Sequence, residues 1–160
     1  MAIVIDNLGK KAEQKIRDWL NRPEAGYSFD RVPDQMTGYL GSRNICDFIC
    51  YKYPNIYYIE SKATGHDRFE FSQISDIQRN GLLAKSKIAH VHAGIIILFA
   101  EAQRAFWIPI TEIEKLEDSG KHSINIKKVE SWSIQYTEIQ TVPNTRKKLL
   151  DYTGEIDNFI

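Results

Sequence analysis

The run "AGIIILFA", residues 93–100, restricts the fold more than any other segment of the chain. An almost wholly apolar stretch of this length reads as a central strand buried on both faces, since a strand with one wet face would alternate. Such a strand needs cover on two sides. Residues 8–22, "LGKKAEQKIRDWLNR", supply some of it: Leu8, Ala12, Ile16, Trp19 and Leu20 fall on one helical stripe that closes at Pro23. A second predicted helix covers 72–90, with Ser72 as N-cap and Ile74, Ile77, Gln78, Gly81 and Leu82 on one side. "ICDFICY" (45–51) and "IYYIESK" (56–62) are β-rich runs joined by "KYPN", a hairpin signal. "AFWIPI" (105–110) is a further strand, and "TEIE" (111–114) has the pattern of a capping box opening a short helix. "SINIKKVESWSIQYTEIQ" supplies one or two edge strands, and the tail from Pro143 forms a short helix around "RKKLL" before fraying. The stretch 23–44, rich in Gly, Pro and polar residues, reads as a loop or protrusion with nothing in the core. The alternation of elements predicts an α/β sandwich, a mixed sheet flanked by helices, as one domain over 1–160.

Composition agrees with that size of core. With 160 residues, 42% of them hydrophobic and 26% charged, the chain fits one compact unit. It has no apolar run near the length of a membrane span, and "MAIVIDNLGKK" is too short and too quickly charged for a secretory signal, so an intracellular, soluble protein without a membrane partner is expected. Cys46 and Cys50 lie four apart in one strand, on the same side but too distant to bridge, and read as two buried thiols. Zinc would have to recruit His90 and His92, yet no second ligand pair has zinc spacing. Net charge is zero, so any polyanion must be met by local clusters. Three exist: Lys10, Lys11, Lys15 and Arg17; Arg79, Lys85 and Lys87 with His90 and His92; and Arg146, Lys147 and Lys148. Each by itself also reads as a solvated helix face.

The chemistry-bearing segment is "NIYYIESKATG", residues 55–65. Strand alternation sends Tyr58, Glu60 and Lys62 to one face and Tyr57, Ile59 and Ser61 to the other. If the hairpin pairs as read, Asp47 reaches the face of Glu60 and Lys62. Two carboxylates held together repel unless a cation lies between them, and a hard ion such as Mg²⁺ prefers oxygen ligands of this kind. A lysine beside such a site can act on a metal-held water or on the charge that grows at phosphorus. The Ser61 carbonyl can offer one more oxygen. The same spacing also suits a cross-strand ion pair on a wet face, which contributes about 0–1 kcal/mol.

The order "ICDF…YYIESKATG…RFEFSQISDIQRNGL…HAGIIILFAEAQRAFWIPITEI", spanning residues 8–116 with the first helix, resembles the PD-(D/E)xK nuclease superfamily, and within it the RecU-type Holliday junction resolvases and their phage relatives. The resemblance implies a restriction-endonuclease-like sandwich in which Asp47 and Glu60 hold Mg²⁺, with Mn²⁺ as substitute, and Lys62 is the catalytic lysine. It makes Gln78 the glutamine that arranges the active-site water or the DNA, and Glu13 the extra acid of the first helix. Residue 46 is cysteine where the motif has proline, and the literal Pro-Asp stands earlier, at Pro33 and Asp34. Asp47 is preferred because it has the parity to share the Glu60 face. By the same resemblance, residues 26–44 fall where these resolvases carry a stalk, apparently shortened here. Tyr27, Arg31, Tyr39 and Arg43 become contacts to phosphates or opened bases, and Lys10, Lys11, Lys85 and Lys87 contacts to the DNA backbone. The implied activity is symmetric hydrolysis of a four-way junction by a homodimer, leaving 5′-phosphate and 3′-hydroxyl ends. The small size and shortened loop point to a phage-encoded protein working in a bacterial cytoplasm. A nuclease of the superfamily that cuts linear duplex, and a junction-binding module without chemistry, are the alternatives. The intact Asp47, Glu60 and Lys62 argue against the second.

Overall fold

The computed structural model describes residues 5–33, 44–144 and 149–160. In chain order its elements are α1 (Leu8–Leu20), β1 (Ser28–Arg31), β2 (Phe48–Lys52), β3 (Asn55–Thr64), β4 (Arg68–Glu70), α2 (Asp76–Ser86), β5 (Val91–Phe99), β6 (Arg104–Pro109), α3 (Ile110–Asp118), β7 (Ser123–Asn125), β8 (Thr137–Glu138), β9 (Thr141–Val142) and β10 (Asp151–Tyr152). Among the described residues the main sheet has the order β1-β2-β3-β5-β6-β8. Only β3 and β5 run parallel; the other neighbours are antiparallel. A parallel pair requires a crossover, and α2 provides it.

The apolar run lies where its composition requires, with Ile95 through Phe99 buried in β5 between two cores. One core packs α1 and the C-terminal segment on the face of Tyr57, Ile59, Ile96 and Leu98. The other packs α2 and α3 on the face of Ile95, Ile97 and Phe106. At Gly94 the backbones of β5 and β6 approach so closely that a Cβ would stand 2.5 Å from the Ile108 carbonyl oxygen. Among the described residues no helix is long and apolar enough to cross a membrane.

Four local expectations are corrected. The start of the 23–44 stretch is core, not loop. Ser28–Arg31 forms an edge strand on β2, and Tyr27 is buried, donating to Glu155 Oε2 at 2.7 Å and accepting the Ile156 amide at 2.9 Å. Its position between α1 and the tail excludes it as a DNA contact. The tail does not fray: Leu149, Leu150, Tyr152, Ile156 and Phe159 are buried, Phe159 stacks on Trp107 with centroids 4.7 Å apart, and Trp19 Nε1 donates to the Gly154 carbonyl at 2.7 Å. The start of the "RKKLL" helix falls outside the described residues, and Asp151 and Tyr152 pair as strand with β9. Ser75 caps α2 in place of Ser72: its side chain accepts the Gln78 amide and Gln78 returns a carbonyl oxygen to the Ser75 amide, both at 3.1 Å. That reciprocal box satisfies two donors, so the helix begins there, while Ser72 lies in a 3-10 turn. In α3 the "TEIE" box does not form, because burial of Ile110 and Ile113 draws Ile110 into the helix and Pro109 precedes it without a side-chain cap.

Candidate active site

Phe48 pairs with Ile59, so Asp47, one residue before β2, comes opposite Glu60. The Asp47 amide donates to the Ile59 carbonyl at 3.1 Å, and its Oδ2 accepts the Ser61 amide at 2.9 Å. This carboxylate is therefore oriented by backbone at both ends. Glu60 is 4% exposed. Its Oε2 accepts from Gln78 Nε2 at 2.7 Å and lies 3.2 Å from Lys62 Nζ. Gln78 reaches Glu60 because α2 comes in close: a Cβ on Gly81 would stand 2.1 Å from Ile45 Cγ2, just ahead of Asp47. Glycine at that turn of α2 is what lets helix and strand meet.

The electrostatics follow from this crowding. Burial first, and then the Asp47 charge, push the Glu60 carboxyl up to about 8; Lys62 opposes the shift without cancelling it. The same negative field, added to burial, raises the neighbouring Cys46 thiol to about 12. Cys46 and Cys50 are both buried free thiols, as expected. A buried carboxyl whose charged form is disfavoured beside a second carboxylate gains from a cation placed between them.

The structure thus brings together Asp47, Glu60, Lys62, Gln78 and the Ser61 backbone. The remaining expected residues distribute differently. Glu13, on α1, pairs with Arg31, whose Nη2 lies 2.8 Å from Glu13 Oε2 and 3.9 Å from Asp47 Oδ1. Among the described residues no group of three His, Cys, Asp or Glu is placed to hold a metal ion. Arg31 faces this acidic centre instead of standing out on a stalk. Its place in β1 was not legible, because four residues of "SFDR" are too few to separate a strand from a loop. Lys10 and Lys11 are exposed on α1, Lys87 is exposed past α2, and Lys85 stands over the Tyr58 ring at 5.2 Å. Lys15, read as part of a solvated cluster, is buried and pairs with Asp151. Asp34, Tyr39, Arg43, Arg146, Lys147 and Lys148 lie outside the described residues.

A mixed sheet with helices on both faces, bearing an Asp beside a Glu-x-Lys and a helix-borne glutamine, defines a nuclease-type domain of the PD-(D/E)xK class. A family model, Recombination protein U, matches residues 27–158, and the chain belongs to that family, the RecU Holliday junction resolvases. The match runs well past residue 116, through the C-terminal segment that docks on α1. A solved structure of Archaeoglobus fulgidus Hjc, a Holliday junction resolvase from an archaeal hyperthermophile, is similar in fold: the TM-score is 0.50 at 19% identity, covering 72% of this chain and 88% of that one. No curated protein matches the chain.

Proposed function

We propose that the chain resolves Holliday junctions in recombination as a metal-dependent endonuclease, acting as a homodimer that cuts two opposed strands of four-way DNA. The observation that carries this reading is the convergence of Asp47, Glu60, Lys62 and Gln78 at one end of the β2–β3 hairpin. The donor set fits a hard divalent ion. The Ser61 amide holds Asp47 through Oδ2, and Gln78 and Lys62 hold Glu60 through Oε2, so the two carboxylates are fixed side by side where an ion between them would take oxygen from both. The Ser61 carbonyl leaves β3 on the same side as its amide and adds a neutral oxygen. Mg²⁺ or Mn²⁺ bound there would offset the phosphate charge and make a water more acidic.

The residues divide the remaining work. Gln78 fixes the rotamer of Glu60, so that its carboxylate does not swing when DNA arrives. Lys62 places its ammonium beside Glu60, where it orients the attacking water and stabilises the charge that develops on the phosphoryl oxygens. Attack in line with the 3′ oxygen gives 5′-phosphate and 3′-hydroxyl ends. Lys10, Lys11, Lys85 and Lys87 are the basic side chains for the DNA backbone, which makes binding steeply salt-dependent. A four-way junction has near two-fold symmetry, which a two-fold dimer with paired sites matches.

The deciding experiment cleaves an end-labelled four-way junction beside a linear duplex of the same sequence, with Mg²⁺ and with EDTA. Paired symmetric nicks in the junction alone, abolished by EDTA, are the expected result. Equal cutting of both substrates would make the chain a general nuclease, and tight junction binding without cleavage, Mn²⁺ included, a binding module.

A further inference from the structure

A second cluster of cations lies away from the acidic centre and from the lysines of α1 and α2. The short ribbon of β4 and β7 pairs Arg68 with Asn125 and Glu70 with Ser123. Phe69 and Ile124 turn inward to the core that holds α2 and α3, so Arg68, Ser123 and Asn125 face outward. With Lys121 and Lys128 they line a cavity of about 170 Å³, backed by Trp132. Trp132 Nε1 donates to the Asn125 carbonyl at 3.0 Å, which ties the ribbon to that wall.

The cavity is furnished with donors. Three of its lining side chains are cations, and none of the described residues that line it is acidic. Arg68 Nη1 stands 4.0 Å from the exposed Glu70 carboxylate, and Lys127, outside the cavity, is held by Asp67 at 3.1 Å. Neither Lys121 nor Lys128 has an acid partner among the described residues. The Lys127 amide occupies Asn125 Oδ1 at 2.9 Å, which leaves the Asn125 NH₂ to donate, and the Ser123 hydroxyl is a further donor. Donors without a charged acceptor suit an oxyanion. The volume lies below the roughly 300 Å³ at which small-molecule pockets begin, so it suits one phosphate group and not a whole nucleotide.

Strand β3 fixes where this cavity stands relative to the acidic centre. Glu60, Lys62 and Thr64 pair in register with Ile95, Ile97 and Phe99 and share their face. The Thr64 hydroxyl donates to the Arg68 carbonyl at 3.2 Å and accepts the His66 amide at 3.1 Å. The turn that carries Arg68 is thus tied to the strand that carries Glu60, about four residues or 13 Å further along it. Resting on the nuclease reading of that centre, we propose that the cavity takes one backbone phosphate of the duplex arm leaving the cleavage site. At about 3.4 Å per base pair, that phosphate lies about four base pairs from the scissile one. Arg68, Lys121 and Lys128 neutralise it, and Ser123 and Asn125 donate to its free oxygens. The contact sets the register of the arm and reads no sequence.

The test measures the affinity of the full chain for a fluorescent four-way junction and for a linear duplex, in EDTA, from about 50 to 200 mM salt. Wild type is compared with the double variant Lys121→Gln, Lys128→Gln. Both lysines are exposed, so the variant is expected to melt with wild type; should it not, Lys128→Gln alone gives the same readout. The plot of log affinity against log salt is expected to become shallower by about one unit, with binding roughly ten-fold weaker at low salt and by the same factor on both substrates. A slope shallower by two units would mean two separate surface contacts, which overturns the single pocket. An unchanged slope overturns the inference as well, as does a wild type that binds neither substrate. If the slope is unchanged and inorganic phosphate raises the melting temperature of wild type but not of the variant, the cavity is a site for the free ion. The result is independent of cleavage. A shallower slope with no cutting of four-way DNA would sink the resolvase reading and leave the phosphate pocket standing, whereas an unchanged slope with normal junction cleavage would do the reverse.

Discussion

The two faces of β3 carry opposite burdens. On one, Tyr57 and Ile59 are sealed beneath α1 and the C-terminal segment, fully out of water. On the other, Tyr58, Glu60 and Lys62 look towards α2, with Tyr58 and Lys62 half-buried and Glu60 held among polar partners. Residues adjacent in sequence are thus divided by the two-residue period of a strand into a set that stabilises and a set that reacts. The apolar face can be closed because nothing has to enter it, whereas Glu60 on the other side is held by its own polar contacts to Gln78 and Lys62.

The widest break between the faces is expected from Lys62→Ala and Glu60→Gln. Each should lower junction cleavage by about 10²–10³-fold, the scale of losing a charge-stabilising group. The melting temperature should stay near that of wild type for Lys62→Ala, and for Glu60→Gln at pH 5, where the wild-type carboxyl is neutral as well. A folded Lys62→Ala protein that cuts at wild-type rate would remove the lysine from the mechanism.

Ile59→Ala should break the comparison from the other side. Emptying this fully buried position is expected to cost about 2–5 kcal/mol in denaturant unfolding. Cleavage per folded molecule, measured well below the melting point, should remain close to wild type. Activity that collapses in step with Lys62→Ala would show that the two faces are not separable.

A smaller effect sharpens the contrast through pH. Glu60 titrates near 8 in the folded chain against an ordinary value of 4.5, so the unfolded chain ionises first as pH rises. The stability due to the neutral carboxyl is complete below about 4.5 and is lost progressively up to about 8, on the order of a few kcal/mol. Metal-free protein should therefore melt lower at pH 8 than at pH 5, and Glu60→Gln should flatten that dependence. Mg²⁺ should recover stability most at the alkaline end, where the carboxylate is free to bind. A melting profile unchanged by Glu60→Gln would place the titration elsewhere.

Much of the site was legible because it is local. Asp47, Glu60 and Lys62 lie in one hairpin, and Gln78 sits in the next helix, so parity and a turn signal suffice to bring them together. What failed was nonlocal or too short to carry a period. The tail's apolar residues show no regular spacing, yet Leu149, Tyr152, Ile156 and Phe159 complete the core over α1. Arg31 stands on a four-residue strand, too brief to signal its face.

The sequence by itself determined the layered architecture and the chemistry of one strand, since hydrophobic periodicity and residue type act at short range. Only tertiary structure decided that Glu60 would be buried enough to hold its proton, that Gly81 would let α2 bring Gln78 against it, and that Arg31 would stand between Glu13 and Asp47. Each of these depends on the distance between elements far apart in the chain, and electrostatic and steric energies change steeply over the few ångströms that packing sets.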